Sequence, residues 1–252
     1  MSQRKLVHDP TAAAAMQGRG AVLARTSRRV FTVALTGGPC SGKSSSLEAF
    51  TRELTARGLD VYSVPEVPTI VLNAGFPYPG LAGGALLQAF ENAIARTQVC
   101  LENEVLSLAA ARDALERGRP AVVFFDRGLL DLKAYCAPAT WAAALAAVGV
   151  DEDTARARYD LVIHLQTAAI GAEAFYTTAN NAARTEGLAE ARELDARVQD
   201  AWAGHAAWRC VPNREGASFA DKVAEATRHV LALVGLEGEG GGSGGGSGAG
   251  AV

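Results

Sequence analysis

Gly37-Gly38-Pro39-Cys40-Ser41-Gly42-Lys43-Ser44, followed by Ser45, fits the pattern Gly-x-x-x-x-Gly-Lys-[Ser/Thr]. A loop of this kind turns successive backbone amides inward, toward phosphate oxygens. Gly37 and Gly42 supply backbone angles that other residues avoid. Lys43 places a positive charge near the β- and γ-phosphates, and the Ser44 hydroxyl is placed to ligate Mg²⁺. A helix beginning at Lys43 adds its positive N-terminal end. The plain alternative is a chance glycine turn ahead of a helix. An apolar strand before the loop and a helical pattern after it are the context that the binding motif requires. No Gly-x-Gly-x-x-Gly follows the first strand, which excludes the dinucleotide-binding version of the fold.

Two carboxylates follow later strands. Glu66 lies between Pro65 and Pro68 in Val64-Pro65-Glu66-Val67-Pro68-Thr69, and the prolines limit its backbone. Asp126 ends the apolar run Ala121–Asp126 and is followed by Arg127 and Gly128, with Asp131 further on. Either Glu66 or Asp126 is suited to ligate the metal, directly or through water, or to accept a proton from an attacking hydroxyl. Arg127 is suited to contact phosphate. The competing role for these acids is helix capping. Asp131 reads as a solvated or capping acid.

A polar stretch from Gln166 to Glu186 is long for a connection and reads as a lid. Arg184 precedes a helical run there, and an arginine on a closing segment would stabilise charge on a transferred phosphoryl group.

Positioning these groups requires alternating elements. Val30–Thr36, Leu59–Pro65, Ala121–Asp126, Asp160–Leu165 and Trp208–Pro212 read as short apolar strands. Lys43–Arg57, Leu81–Arg117, a region around Trp141 and Leu145, Thr185–His205 and Phe219–Val234 read as helices. Near-continuous apolar strands alternating with helices predict an α/β P-loop NTPase fold. Its doubly wound sheet of five parallel strands is covered on both faces, with a lid beside it. Ligands of such sheets sit outside the C-terminal strand ends.

Composition sets the remaining bounds. The 252 residues carry a net charge of −3, which argues against a nucleic-acid partner. No apolar stretch is long enough for a membrane span. Cys40, Cys100, Cys136 and Cys210 are scattered and read as free thiols in a reducing compartment. Residues 1–29 are basic and acid-poor. They read as a disordered tail in a cytoplasmic protein, with an organelle-targeting segment as the alternative. Residues 30–236 form the predicted P-loop domain. Residues 237–252 are a Gly/Ser-rich flexible tail, which holds nine of the 27 glycines.

The ordered set TGGPCSGKSS, VPEVPT, FFDRGLLD, YDLVIHLQTAAIGAEAFYT, ARTEG, ARELDARVQDAWAGH and VPN resembles the NadR-like P-loop domains of AAA type. The nearest likeness is to the eukaryotic branch named for the TRPL translocation defect protein. The resemblance spans Arg29 to Gly235. It implies a kinase-like α/β P-loop fold, with ATP or GTP and Mg²⁺ as ligands. Bacterial relatives include a nicotinamide riboside kinase activity, and deoxynucleoside kinases are more distant relatives. By position it implies a catalytic acid at Glu66, an acid–arginine pair at Asp126 and Arg127, and a lid arginine at Arg184. It places Asn213 where the last strand meets the nucleotide base, and Glu91 and Gln98 along a substrate pocket. No segment here matches the adenylyltransferase domain of the bacterial kinase or the C-terminal domain of longer eukaryotic relatives. The expected activity is a Mg²⁺-dependent phosphotransferase acting on a small, nucleoside-type acceptor. The alternative is a nucleotide-binding regulatory module in which nucleotide orders the lid and so changes a protein-partner surface.

Overall fold

Alternate residues of Val30–Thr36 enter two different cores: Val33 and Leu35 join one, Ala34 the other, and all three are fully buried. Ala121–Asp126 divides in the same way, with Val122 and Phe124 on one face and Val123 and Phe125 on the other. A strand apolar on both sides must be covered on both sides. The computed structural model, which describes residues 29–80, 83–116, 118–176 and 187–236, has that arrangement.

The strands are β1 (Val30–Thr36), β2 (Asp60–Val64), β3 (Ala121–Asp126), β4 (Leu161–Leu165) and β5 (Trp208–Val211). They form one five-stranded sheet in the order β2-β3-β1-β4-β5, and every pairing is parallel. The helices are α1 (Lys43–Ala56), α2 (Val67–Asn73), α3 (Ala85–Glu116), α4 (Pro138–Val148), α5 (Glu152–Arg156), α6 (Leu188–Ala201) and α7 (Phe219–Val234), with 3-10 turns at Leu129–Tyr135 and Glu173–Phe175. α1 and α7 cover one face through Phe50, Leu54, Val223, Ala226 and Val230. α3, α4 and α6 cover the other through Ile94, Val99, Trp141 and Val198. Phe50 stacks on Phe124 with ring centroids 5.2 Å apart, and each such buried ring contributes roughly 1.5–3 kcal/mol.

β1 is central, with β3 on one side and β4 on the other. The chain leaves β1 and β3 toward opposite faces, so a crevice opens at their C-terminal ends. The elements behind that crevice are anchored at their ends. Ser218 caps α7 by accepting from the Asp221 amide at 3.2 Å, and Asp151 caps α5 by accepting from the Thr154 amide at 2.7 Å. Both contacts satisfy amides that a helix start leaves free.

The differences from the sequence expectations are local. The helix read from Leu81 to Arg117 runs from Ala85 to Glu116. The helix read from Thr185 to His205 runs from Leu188 to Ala201, because the Trp202 and Ala203 amides bond tightly back to Gln199 and Asp200 as the chain turns toward β5. α2 and α5 are too short to show periodicity and were not expected. Residues 1–28, residues 177–186 (the part with Arg184 of the stretch read as a lid) and residues 237–252 lie outside the described residues, while residues 166–176 of that stretch form turns that include the 3-10 turn Glu173–Phe175. Among the described residues, no helix is long and apolar enough to cross a membrane. The four cysteines are unbridged.

Candidate functional site

The loop between β1 and α1 has the backbone its sequence requires. Gly37 and Gly42 have φ of 141° and 91°, and Cys40 takes a left-handed φ of 54°. A Cβ on Gly37 would stand 2.1 Å from the Leu165 carbonyl oxygen, so glycine is required there for space as well as for torsion. The Ser46 amide donates to the Gly42 carbonyl at 2.9 Å, which starts α1 at once. Ser44 and Ser45 are exposed at that start.

Lys43 is buried and folds back over the loop. Its ammonium donates to the Gly37 carbonyl at 3.1 Å, the Gly38 carbonyl at 3.3 Å and Ser41 Oγ at 3.2 Å. Burial and then the nearby Arg127 charge lower its pKa to about 8, against the opposing pull of Asp126, Glu66 and Asp131. The loop thus holds its lysine on its own carbonyls and the Ser41 hydroxyl, within the field of three carboxylates.

Glu66, Asp126 and Arg127 converge beside Lys43 from the ends of β2 and β3. Glu66 stands at the N-cap position of α2 but makes no side-chain cap bond. Its Oε1 accepts from Arg127 Nε, and its Oε2 accepts from Thr69 Oγ1 at 2.6 Å. Burial raises its pKa, but Arg127 first, then Lys43 and the Thr69 hydroxyl, hold it at about 2. Asp126 shifts the other way, because burial outweighs the attraction of Lys43 and the Glu66 charge adds to the rise. Its Oδ1 is buried with no hydrogen-bond partner among the described residues. Arg127 has a left-handed φ of 71°, an arrangement uncommon for a side chain of that size. That turn directs its guanidinium to Glu66, to the Gly37 carbonyl at 3.3 Å and over the Tyr135 ring at 5.4 Å.

Asp131 departs from the expectation of a solvated acid. It does cap, accepting from the Gly128 amide at 2.9 Å, but it is 1 % exposed. It also accepts from Thr36 Oγ1 and from Trp202 Nε1 at 3.3 Å, and it lies 3.6 Å from Arg127 Nη1. The 3-10 turn after Arg127 buries it, and its fourth-residue spacing from that arginine was the available signal.

A cavity of about 580 Å³ opens on this cluster. Glu66, Arg127 and Asp131 line its inner end, Glu91, Ile94 and Gln98 of α3 form one wall, and Glu190, Glu193, Leu194 and Arg197 of α6 form another. Glu91 and Gln98 therefore do line a pocket. Gln98 donates to the Arg127 carbonyl at 3.1 Å and to Glu102 at 2.8 Å. Burial pushes Glu91 up to about 7.

Asn213 sits beside the turn after β4. Its Nδ2 donates to the Thr167 carbonyl at 2.8 Å and the Ile170 carbonyl at 2.7 Å, while its Oδ1 accepts from Lys222 at 2.8 Å. Both of its amide hydrogens are therefore taken by the protein itself. Lys222, which the sequence reading passed over, also donates to the Gln166 carbonyl at 2.6 Å and the Ser41 carbonyl at 3.3 Å. It supports the phosphate loop from behind. Asp195 and His164 were missed as well. They form a fully buried pair at 3.1 Å behind Gly38. An acid within the buried stripe Ala191, Asp195, Val198 of α6 was the signal for it.

A glycine-shaped anion loop between the first strand and helix of a parallel sheet, with a buried lysine at its centre, defines a P-loop α/β protein. Over residues 32–216 the sequence matches the family model described as AAA domain, and the chain belongs to that family. That membership supports nucleotide binding at the loop. A search of curated proteins gives no match.

Proposed function

We propose that the protein is a Mg²⁺-dependent phosphotransferase that passes the γ-phosphoryl group of ATP or GTP to a hydroxyl of a small, nucleoside-type acceptor. One observation carries this reading. Glu66, Arg127 and Asp131 stand beside Lys43 of the phosphate loop and at the same time line the 580 Å³ cavity. A regulatory switch needs no second small-molecule cavity sharing charged groups with its nucleotide loop. Such cavities are the usual size for small ligands. The ordered segments that resemble NadR-like domains support an acceptor of nucleoside type.

In this reading Lys43 and the loop amides bind the phosphates, apart from Pro39, which has no N–H, and Gly38, whose N–H is held by Asp195. Ser44 and Asp126 hold Mg²⁺. The buried, unpartnered Oδ1 of Asp126 and the exposed Ser44 hydroxyl suit a hard cation, with Glu66 able to join through water. Bound there, the metal neutralises charge on the transferring phosphate. Glu66 remains ionised at neutral pH and faces the cavity, so its carboxylate accepts the acceptor's hydroxyl hydrogen and orients the oxygen for attack. Arg127 neutralises developing charge, with Arg184 assigned the same role from the lid. Catalysis of this kind is mostly positioning and electrostatics.

The test is ATP and GTP turnover against a panel of nucleosides. The wild type turns over with at least one of them. Glu66→Gln binds nucleotide normally but is slower by about 100-fold or more, the usual scale for a positioned base. Equal rates would remove Glu66 from its role. Nucleotide binding without transfer to any acceptor would favour the regulatory reading.

A further inference from the structure

Gly37 and Gly38 share one peptide unit whose two ends do different work. Its carbonyl oxygen, on Gly37, accepts from Lys43 at 3.1 Å and from Arg127 at 3.3 Å. Its N–H, on Gly38, donates to Asp195 Oδ1 at 2.8 Å. The orientation of that single plane therefore sets one acceptor of each site cation. A peptide flanked by two glycines has little steric resistance to flipping, so something outside the loop must hold it.

We propose that Asp195 is a positioning residue for nucleotide binding: it fixes the Gly37–Gly38 peptide and thereby locks α6 to the phosphate loop. The inference rests on the reading of that loop as the triphosphate site. Asp195 is fully buried, and both of its oxygens are occupied. Oδ1 accepts from the Gly38 amide and from the Thr167 amide at 3.0 Å, and Oδ2 meets His164 Nε2 and Gln199 Nε2, each at 3.1 Å. No capacity remains for a ligand, so the carboxylate acts through the loop. An apolar residue in its place would strand two buried amides. Burial raises its pKa, yet the His164, Gly38 and Thr167 contacts together bring it below the usual carboxylate value.

The contact is made by the helix itself as well as by its side chain. A Cβ on Gly38 would lie 2.9 Å from Asp195 Cβ and 3.2 Å from its Cα. The adjacent face of the same helix, through Glu190, Leu194 and Arg197, lines the cavity. One rigid element thus touches the phosphate loop with one face and the acceptor cavity with the next, so occupation of the loop is transmitted to that wall.

The experiment compares wild type, Asp195→Ala and Asp195→Asn by calorimetry with MgATP, MgGTP and inorganic tripolyphosphate. Hydrogen exchange of residues 188–201 is followed with and without nucleotide. Asp195→Ala loses about tenfold or more in affinity for the nucleotide that the wild type binds, and for tripolyphosphate by the same factor, because the fault lies in the phosphate loop. Asp195→Asn keeps an acceptor oxygen and stays within about threefold of wild type. In the wild type, nucleotide slows exchange across α6. A merely structural role would lower stability while leaving the affinity of the folded protein intact. Unchanged affinity in Asp195→Ala, a loss seen with nucleotide but not with tripolyphosphate, or wild-type α6 exchange indifferent to nucleotide overturns the inference. If Asp195→Ala does not fold, the Asn variant and the wild-type exchange decide. A wild type that binds neither nucleotide overturns the triphosphate reading and this inference together; normal nucleotide binding with an indifferent Asp195→Ala overturns this inference alone.

Discussion

Lys43 shows how far a site can move a residue from its ordinary chemistry. Its ammonium titrates near 8 instead of 10.5, chiefly through burial and secondly through Arg127. Phosphate in the loop supplies the missing negative charge and restores the higher value. The sign follows directly. Below pH 8 the lysine is already charged and binding needs no proton. Above pH 8 the free protein has lost that proton and binding must take one up. Nucleotide affinity therefore falls as pH rises beyond 8, by up to about tenfold per unit. Calorimetry in two buffers of different ionisation enthalpy reports the uptake; affinity flat from pH 7 to 9.5 would contradict the assignment. Glu66, Asp126 and Arg127 were legible in the sequence because each stands at a strand end, where the fold rule places ligands. For Asp131 and Asp195 the spacing hints at burial but not at partners. Their long-range partners, Thr36 and Gly38, lie 95 and 157 residues away, and no local spacing encodes that part of their roles.

At the scale of elements, α3 depends on a buried ionic knot. Arg158 Nε donates to Glu102 Oε2 at 2.6 Å, while Tyr159 and Gln98 donate to Oε1 at 2.7 and 2.8 Å. Arg158 and Glu102 are almost wholly shielded from water. Removing one partner leaves the other charge buried and unpaired. Glu102→Ala is expected to cost about 3–5 kcal/mol in urea unfolding; a loss under about 1 kcal/mol would show that Arg158 finds other company. β1, β3 and β4 were readable from sequence because their two apolar faces give near-continuous runs, whereas the edge strands β2 and β5 carry polar residues among the apolar ones. Helix ends were read less well, since Leu188 follows a Gly187–Glu190 capping box and Ala201 ends in a tight turn back to Gln199 that apolar periodicity does not mark, and α2 and α5 have too few residues to show a period.

For the whole molecule, the sheet order makes the site. The central place of β1 puts the phosphate loop between the ends of β3 and β4, and the residues after β2 and β3 close around it. A ligand there contacts several parts of the core at once and binds only the folded state. At 100 times its dissociation constant such a ligand adds about 2.7 kcal/mol to stability, or roughly 5–10 °C in melting temperature for a chain of this size. A thermal-shift series with ATP, GTP and Mg²⁺ checks this. No shift with either nucleotide at millimolar concentration would count against binding.

The bracing of α3 has a mechanical consequence. Gln98 ties it to the Arg127 carbonyl at 3.1 Å, Glu102 ties it to Arg158, and Arg112 reaches the Tyr62 hydroxyl of β2 at 3.1 Å. That side of the cavity is stiff, and it cannot lean outward without breaking the knot at its middle. Tyr78 and Gly80 also line the cavity, yet residues 74–80 after α2 carry no helix or strand, and Tyr78 meets α3 through an edge contact with Phe90 at 5.7 Å. That side of the chamber has no such bracing by regular structure. If the chamber takes an acceptor as proposed, one of larger girth would press first on Tyr78, while the side-chain hydrogen bonds of Glu66 and Arg127 would keep their geometry.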